Sequence, residues 1–401
     1  MADTRQSGTA RSYPFGVPDR LNLDPLYARL RTQEPITRVR LPFGEEAWLA
    51  TRHADVRTVL GDPRFSRAAG VVRDEPRTTP QRVGTGILAM DPPAHSRLRR
   101  LAGKALTARR VEQLRPATAE IANDLVDAMA AAGPPVDLVG AFSTPLAVRV
   151  ICRLFGVPDA DQGLFGTWSE ATVWTTSLPP DRVMEHLGSL HAYLAGLIAQ
   201  RRNAPTGDLI GALVQARDTG DDRLSEPEMV ELAAGLLAAG HETTVTQISN
   251  FVYVLLTNPG QLALLRSRPD LVPAAVEELL RYVPLGAAAF ARYATEDLTL
   301  GGVRIRAGDP VIGALSSANR DGAVFADPDA LDITRGANPH FGFGHGVHQC
   351  IGAQLARMEL QVALQTLLGR APALALAVDE KELEWKSGLL VRGLRALPVT
   401  W

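Results

Sequence analysis

The chain has 401 residues, 46% of them apolar and 21% charged, a balance that excludes a disordered or fibrous protein. Its net charge of −2, with arginines scattered among acids, leaves no basic field for nucleic acid. Two cysteines in a chain this long, Cys152 and Cys350, do not make a disulfide framework and fit a reducing compartment.

In chain order, Met1 to Gly16 is polar with no apolar signal core, and no run of about 18 apolar residues follows; a cytoplasmic protein without a membrane segment is expected. Ile36 to Leu41 and Ala47 to Ala50, around Pro42-Phe43-Gly44, predict a β-hairpin. Apolar residues then recur at three and four over Arg97 to Ala131, Leu187 to Arg202, Glu228 to Thr257 and Val272 to Tyr282, which predicts helices. Short strands return over Leu298 to Ile312, and Ala353 to Leu368 reads as a last helix. Cys152, in Val150-Ile151-Cys152-Arg153-Leu154, reads as core. Pro179-Pro180 and Asp218 to Arg223 read as loops too short to link domains. The expectation is one mainly helical domain over residues 1–401 with a small β-rich part, residues 1–12 being flexible.

The richest segment is Phe341-Gly342-Phe343-Gly344-His345-Gly346-Val347-His348-Gln349-Cys350-Ile351-Gly352. Its glycines permit a tight loop that a flat ligand can approach closely. A cysteine opening a helix faces unpaired N–H groups, which lowers its pKa and suits it to bind a metal as the thiolate. Two plainer readings stand beside this one. Cys350 is a small buried residue at a turn, or it joins His340, His345 and His348 in a zinc site, although the usual paired cysteines are missing.

The segment resembles the cysteine loop of the cytochromes P-450, F-x-x-G-x-x-x-C-x-G, with Phe343, Gly346, Cys350 and Gly352 in its fixed places. The resemblance implies a P-450 fold, with haem b (iron protoporphyrin IX) between the long oxygen-activating helix and the helix after the loop. Cys350 would be the axial iron ligand, Phe343, Gly344 and Gly352 would lie against the cofactor, and His348 would meet a propionate.

Three further motifs stand in the family's order. Ala239-Gly240-His241-Glu242-Thr243 interrupts an apolar helix, where an acid and a hydroxyl are costly to bury; it is similar to A-G-x-[DE]-T. By that likeness Glu242 relays protons, Thr243 holds the activated oxygen species, and Gly240 permits a local helix opening. Glu278 and Arg281 share a helix face and resemble the E-x-x-R pair, a buried structural lock. His95 and Arg99, one turn apart in Met90 to Arg100, are by resemblance propionate donors, with Arg292 a third. The family pattern runs from about Tyr13 to Trp401. One departure is Asn319-Arg320-Asp321-Gly322, where many relatives carry proline after the aspartate, a change expected to loosen a turn.

Such a protein inserts one atom of O₂ into a lipophilic molecule, taking electrons from a ferredoxin and its reductase. Arg97, Arg100, Lys104, Arg109 and Arg110 are a landing site for that partner or an ordinary solvated face. Within the family the chain resembles actinomycete members that hydroxylate or epoxidise macrolides and other polyketides in antibiotic biosynthesis. Family position assigns the pocket to Val83, Ile87, Leu88, Trp174, Leu178, Leu236, Ala239, Leu285, Ala288, Phe290 and Leu389, small or apolar residues that suit an uncharged, bulky substrate. A steroid, a terpene or a fatty acid would suit the same surface, and a non-catalytic haem-binding protein or a zinc-stabilised scaffold are the remaining alternatives. A monomer is expected.

Overall fold

The longest helix begins where local chemistry satisfies its first free N–H groups. Ser225 Oγ accepts from the Glu228 N–H at 3.3 Å while the Glu228 carboxylate accepts from the Ser225 N–H at 2.8 Å, a reciprocal cap. Proline follows at the start of the helix, where its missing donor costs nothing. The computed structural model describes residues 9–16, 19–80, 86–172, 179–218, 224–286, 289–386 and 391–401. Of the N-terminal stretch expected to be flexible, residues 1–8 lie outside the described residues.

The helices are α1 (Leu26–Gln33), α2 (His53–Gly61), α3 (Ala94–Ala105), α4 (Ala108–Ala132), α5 (Thr144–Phe155), α6 (Gln162–Thr172), α7 (Pro180–Asn203), α8 (Leu209–Asp218), α9 (Glu226–Leu256), α10 (Pro259–Ser267), α11 (Val272–Tyr282), α12 (Leu315–Ala318) and α13 (Ala353–Arg370). The strands are β1 (Arg11–Ser12), β2 (Ile36–Arg40), β3 (Ala47–Ala50), β4 (Phe65–Ser66), β5 (Val136–Asp137), β6 (Arg292–Ala294), β7 (Leu298–Leu300), β8 (Val303–Ile305), β9 (Pro310–Gly313), β10 (Ala375–Leu376) and β11 (Pro398–Thr400). Internal contacts divide the chain into two units.

The first unit holds the described residues of Met1–Asp91, Gly286–Asp329 and His340–Gln349. Its main sheet has the order β1-β2-β3-β9-β6-β4. The expected hairpin is antiparallel β2 and β3, Ile36 opposite Ala50, and β3 runs parallel to β9 with Trp48 opposite Val311. Alternate residues of β3 go to opposite faces: Ala47 and Leu49 pack with Tyr13, Phe15 and Ile312, while Ala50 joins Val56, Leu60 and Phe341.

The second unit holds Pro92–Leu285, Ala330–Pro339 and Cys350–Trp401. Helix α13 packs on α4, α9 and α11, and α5 packs on α9. A three-stranded sheet, β10-β11-β5, completes it. The single helical run expected over Arg97 to Ala131 is two helices, because Thr107 turns to extended backbone and caps α4 through a bond from the Arg110 N–H. Pro180, expected in a loop, instead opens α7, since its fixed φ suits the first helical position. Cys152 is fully buried in α5, and burial pushes its thiol up to about 12. No helix among the described residues is long and apolar enough to cross a membrane.

Candidate functional site

In the first unit the loop before Cys350 is shaped by glycine. Gly344 and Gly346 have φ of +70° and +72°, values that L side chains rarely adopt. A Cβ on Gly346 would also stand 2.2 Å from the Leu60 carbonyl oxygen. The loop's entry is anchored from two sides: Asn319 Oδ1 accepts from the Phe341 N–H at 2.7 Å, and the His53 ring stacks on Phe341 with centroids 4.3 Å apart. The turn expected to be loose is therefore held. Asp321, in the same turn, accepts from the N–H groups of His53 and Ala323. Phe343 and Gly344 follow that anchor, and His348 closes a short 3-10 turn, Gly346–His348.

Arg292 opens β6 in the same unit and is buried. Its Nε has no hydrogen-bond partner among the described residues. Burial first, and the neighbouring Arg67 cation second, bring its guanidinium down to about 10. A buried cation in that state is stabilised by an anion placed against it. Arg67 is itself satisfied: it pairs with Glu75, donates to the carbonyls of Leu88 and Ala291, and its guanidinium lies 5.3 Å from the Phe290 ring centroid. One buried side chain thus ties together two pocket candidates, Leu88 and Phe290. Ile87 lies in the same short turn as Leu88, Ile87–Ala89.

In the second unit Cys350 precedes α13, which begins three residues later after Gly352. The thiol is exposed, yet the protein mass behind it raises its pKa, opposed by the Gly352 N–H and the Arg99 and Arg357 guanidiniums. The lowered pKa expected from the sequence is thus corrected for the protein alone: Cys350 lies outside the helix, and desolvation outweighs the backbone and the two cations. His95 and Arg99 lie one turn apart on α3, His95 buried and Arg99 partly so. Burial lowers the Arg99 guanidinium, against the pull of Cys350.

Helix α9 is unbroken through Gly240. The glycine makes room for α5, since a Cβ there would come within 3.0 Å of Ile151 Cδ1; this corrects the expected local opening. From Thr244 to Leu255 the helix is buried, but Leu236, Ala239, Gly240 and Thr243 form an accessible stripe. Thr243 Oγ1 donates to the Ala239 carbonyl at 2.7 Å, the usual bond of a mid-helix threonine. Glu242 Oε1 accepts from Thr246 Oγ1 at 3.2 Å and from the Lys386 ammonium. His241 is buried, which lowers its pKa.

Glu278 and Arg281 of α11 are completely enclosed. Arg281 donates from Nε to Oε2 at 2.8 Å and from Nη2 to Oε1 at 2.7 Å. The same carboxylate accepts from the Asp332 N–H, Arg335 Nε and Asn338 Nδ2. The pair therefore clamps α11 to the segment leading toward the cysteine loop. Sequence reasoning missed Arg335, Asn338, Asn319, His53 and Lys386, because each acts across a long sequence gap with no local pattern. Arg97, expected in a basic landing face, is paired with Glu228, while Arg100, Lys104 and Arg109 are exposed.

Leu285 of the pocket set accepts from the Arg392 N–H through its carbonyl at 2.7 Å. Val83, Trp174, Leu178, Ala288 and Leu389 lie outside the described residues. Among the described residues no three His, Cys, Asp or Glu side chains are grouped to hold a metal ion, which weighs against the zinc reading. Each unit carries residues that suit a flat anionic iron cofactor: in the second, the exposed thiol of Cys350 before α13; in the first, a buried arginine, Arg292, whose Nε has no partner among the described residues.

The Cytochrome P450 family model matches residues 265–381. The mycinamicin IV hydroxylase/epoxidase of Micromonospora griseorubida is 54% identical over 396 residues, 98% of this chain and 100% of that protein. The nocardicin C N-oxygenase of Nocardia uniformis subsp. tsuyamanensis is 51% identical over 394 residues, 98% of each. A solved structure of the mixed-function P450 MycG superposes with a TM-score of 0.95 at 55% identity, covering 98% of this chain and 100% of that one.

Proposed function

The chain belongs to the cytochrome P450 family, and on that footing we propose that Cys350, Glu242 and Thr243 serve oxygen insertion into a bulky macrolide or other polyketide in antibiotic biosynthesis. The family consists of haem-thiolate monooxygenases, and the chain is one, using O₂, a lipophilic substrate and external electrons. The observation that carries the substrate reading is the accessible stripe of α9. Leu236, Ala239 and Gly240 set uncharged surface beside the Thr243 hydroxyl on a helix that is otherwise largely buried.

When bound, haem b supplies an iron centre that activates O₂. Cys350 would hold the iron as the thiolate, since coordination to a metal deprotonates a thiol whatever its free pKa. By the family resemblance Arg292 and His348 of the first unit, and His95 and Arg99 of the second, would each be a propionate donor through a charge-assisted hydrogen bond. Phe343, Gly344 and Gly352 would shape the surface beside the cofactor. Thr243 Oγ1, which donates to the Ala239 carbonyl in the structure, would turn its one O–H away from that carbonyl to offer a hydrogen bond, and the Glu242 carboxylate would hold and pass on protons. By family position Ile87, Leu88 and Phe290 of the first unit, and Leu236, Ala239 and Leu285 of the second, would offer apolar surface to an uncharged substrate. Arg100, Lys104 and Arg109 offer a basic face to an acidic ferredoxin, served by its reductase. The protein works as a cytoplasmic monomer in this reading.

The relative that acts on nocardicin C makes oxidation at nitrogen the second reading. Purified holoprotein is supplied with a ferredoxin, its reductase and ¹⁸O₂, and offered mycinamicin IV and nocardicin C separately. Mycinamicin IV gaining one labelled oxygen supports the macrolide reading. Labelled product from nocardicin C alone overturns it in favour of the second.

A further inference from the structure

The segment after α13 returns along one face of α9. Tyr253 Oη donates to Glu380 Oε1 at 2.5 Å, and the Tyr253 ring meets Trp385 edge-on with centroids 5.3 Å apart. One turn nearer the N-terminus, Asn250 Nδ2 donates to the Arg392 carbonyl at 2.9 Å. A further turn back, Gly393 sits so close that a Cβ would stand 2.5 Å from Thr246 Cγ2. The next residue in that row is Glu242, and there the arm presents the Lys386 ammonium. Residues 242, 246 and 250 recur every four positions and so share one helix face.

Lys386 is fixed at its backbone as well. Its N–H donates to the Gly393 carbonyl at 2.8 Å, beside the bridge between Trp385 and Leu394. The two charged side chains are only 16% and 15% exposed, so the pair is much less screened than a surface ion pair. The bonds to Glu242 from Lys386 and from Thr246 both fall on the same carboxylate oxygen, Oε1. The carboxylate's rotation is therefore set by a cation that belongs to a different segment of the chain.

We propose that Lys386 is a positioning residue for proton delivery: docked on α9 by the C-terminal arm, its ammonium orients Glu242 so that protons reach the reacting oxygen in step with the electrons. This rests on the monooxygenase reading of Glu242. The balance of the reaction states what is at stake. Productive turnover is RH + O₂ + 2 e⁻ + 2 H⁺ → ROH + H₂O, with electrons from the external donor. When protons are delivered out of place, the same two electrons and two protons leave as hydrogen peroxide, O₂ + 2 e⁻ + 2 H⁺ → H₂O₂. Lys386 acts on the partition between these two outcomes through Glu242, without touching substrate.

The test compares holoenzyme carrying Glu242→Gln, Lys386→Met, Lys386→Arg and the double change Glu242→Gln with Lys386→Met. Product and peroxide per electron pair are measured with mycinamicin IV, together with its dissociation constant from the spectral shift on binding. Lys386→Met is expected to raise the peroxide fraction several-fold with the dissociation constant held within twofold, and Lys386→Arg to restore coupling. The double variant should be no worse coupled than Glu242→Gln alone, because both changes remove one interaction. A second readout needs no turnover: the two single changes lower the melting temperature by amounts that fail to add in the double variant. Wild-type coupling in Lys386→Met beside poor coupling in Glu242→Gln overturns the proposal, as do additive effects in both readouts. Full coupling in Glu242→Gln overturns the relay reading of Glu242 itself, and the proposal with it.

Discussion

Two glutamates of the second unit, the buried Glu278 on α11 and the partly buried Glu242 on α9, show how differently the same functional group is used. Glu278 accepts hydrogen bonds on both oxygens, from Arg281, Arg335, Asn338 and the Asp332 N–H. A carboxylate saturated in this way holds its neighbours still and has no capacity left to move a proton. Glu242 takes its bonds from Lys386 and Thr246 on one oxygen, in a helix whose adjacent stripe is accessible. The acid built as a lock is closed on all sides, and among the described residues the acid built for transfer takes its bonds on one oxygen only. Two arginines repeat the contrast: Arg281 is bonded to Glu278 and the Ala330 carbonyl, whereas Arg292 is buried with its Nε unbonded among the described residues.

The comparison breaks first at Glu278. Glu278→Ala leaves the Arg281 cation enclosed, and the expected loss is about 3–5 kcal/mol of stability, read by denaturant unfolding. Glu242→Gln, unfolded the same way, should cost far less, and equal losses would erase the distinction between lock and relay. Arg292→Met is expected to weaken haem retention by about 1.5–3 kcal/mol, the worth of a charged hydrogen bond, measured as the rate of haem transfer to an excess of a scavenging apoprotein. Its apoprotein should be no less stable than wild type, because the change removes a buried charge; a destabilised apoprotein would make Arg292 another structural cation.

Thr243→Ala sharpens the contrast within α9. It should divert electrons from product to peroxide by about tenfold, equivalent to ~1.4 kcal/mol, while its melting temperature hardly moves. Tight coupling in that variant would remove the hydroxyl from the mechanism. The smallest effect concerns His241, whose pKa burial lowers in the folded state. The unfolded chain then binds the proton more readily, so this contribution to stability is complete above the ordinary histidine pKa and is lost as pH falls through the folded value. Melting temperature should decline on acidification below about pH 6.5, with His241→Phe flattening part of the decline; an unchanged slope would contradict it.

What the sequence made legible follows from the range of each interaction. The hairpin of β2 and β3, the helices α9 and α11 and the cysteine loop carry their patterns within a few residues, in alternation, a 3.6-residue period or glycines at tight turns. The division between α3 and α4 was hidden because Leu106-Thr107 interrupts the apolar period too briefly to register, while Thr107 acts through its backbone and cap. Asn319 against Phe341 spans 22 residues and Lys386 against Glu242 spans 144. No periodicity reports such contacts, so the residues that hold the site's shape were less visible than those that carry its chemistry. The thiol of Cys350 in the protein alone departs from the sequence expectation for a related reason: the local helix start was readable, but the desolvation that opposes it was not.

Cys350 as the iron ligand is tested most directly by the absorption spectrum of the reduced, carbon monoxide-bound holoprotein. A strongly red-shifted Soret band, lost in Cys350→Ser together with oxygenation, is the predicted result. An ordinary haem-carbonyl band in the wild-type protein, or a red-shifted band that survives Cys350→Ser, would contradict it.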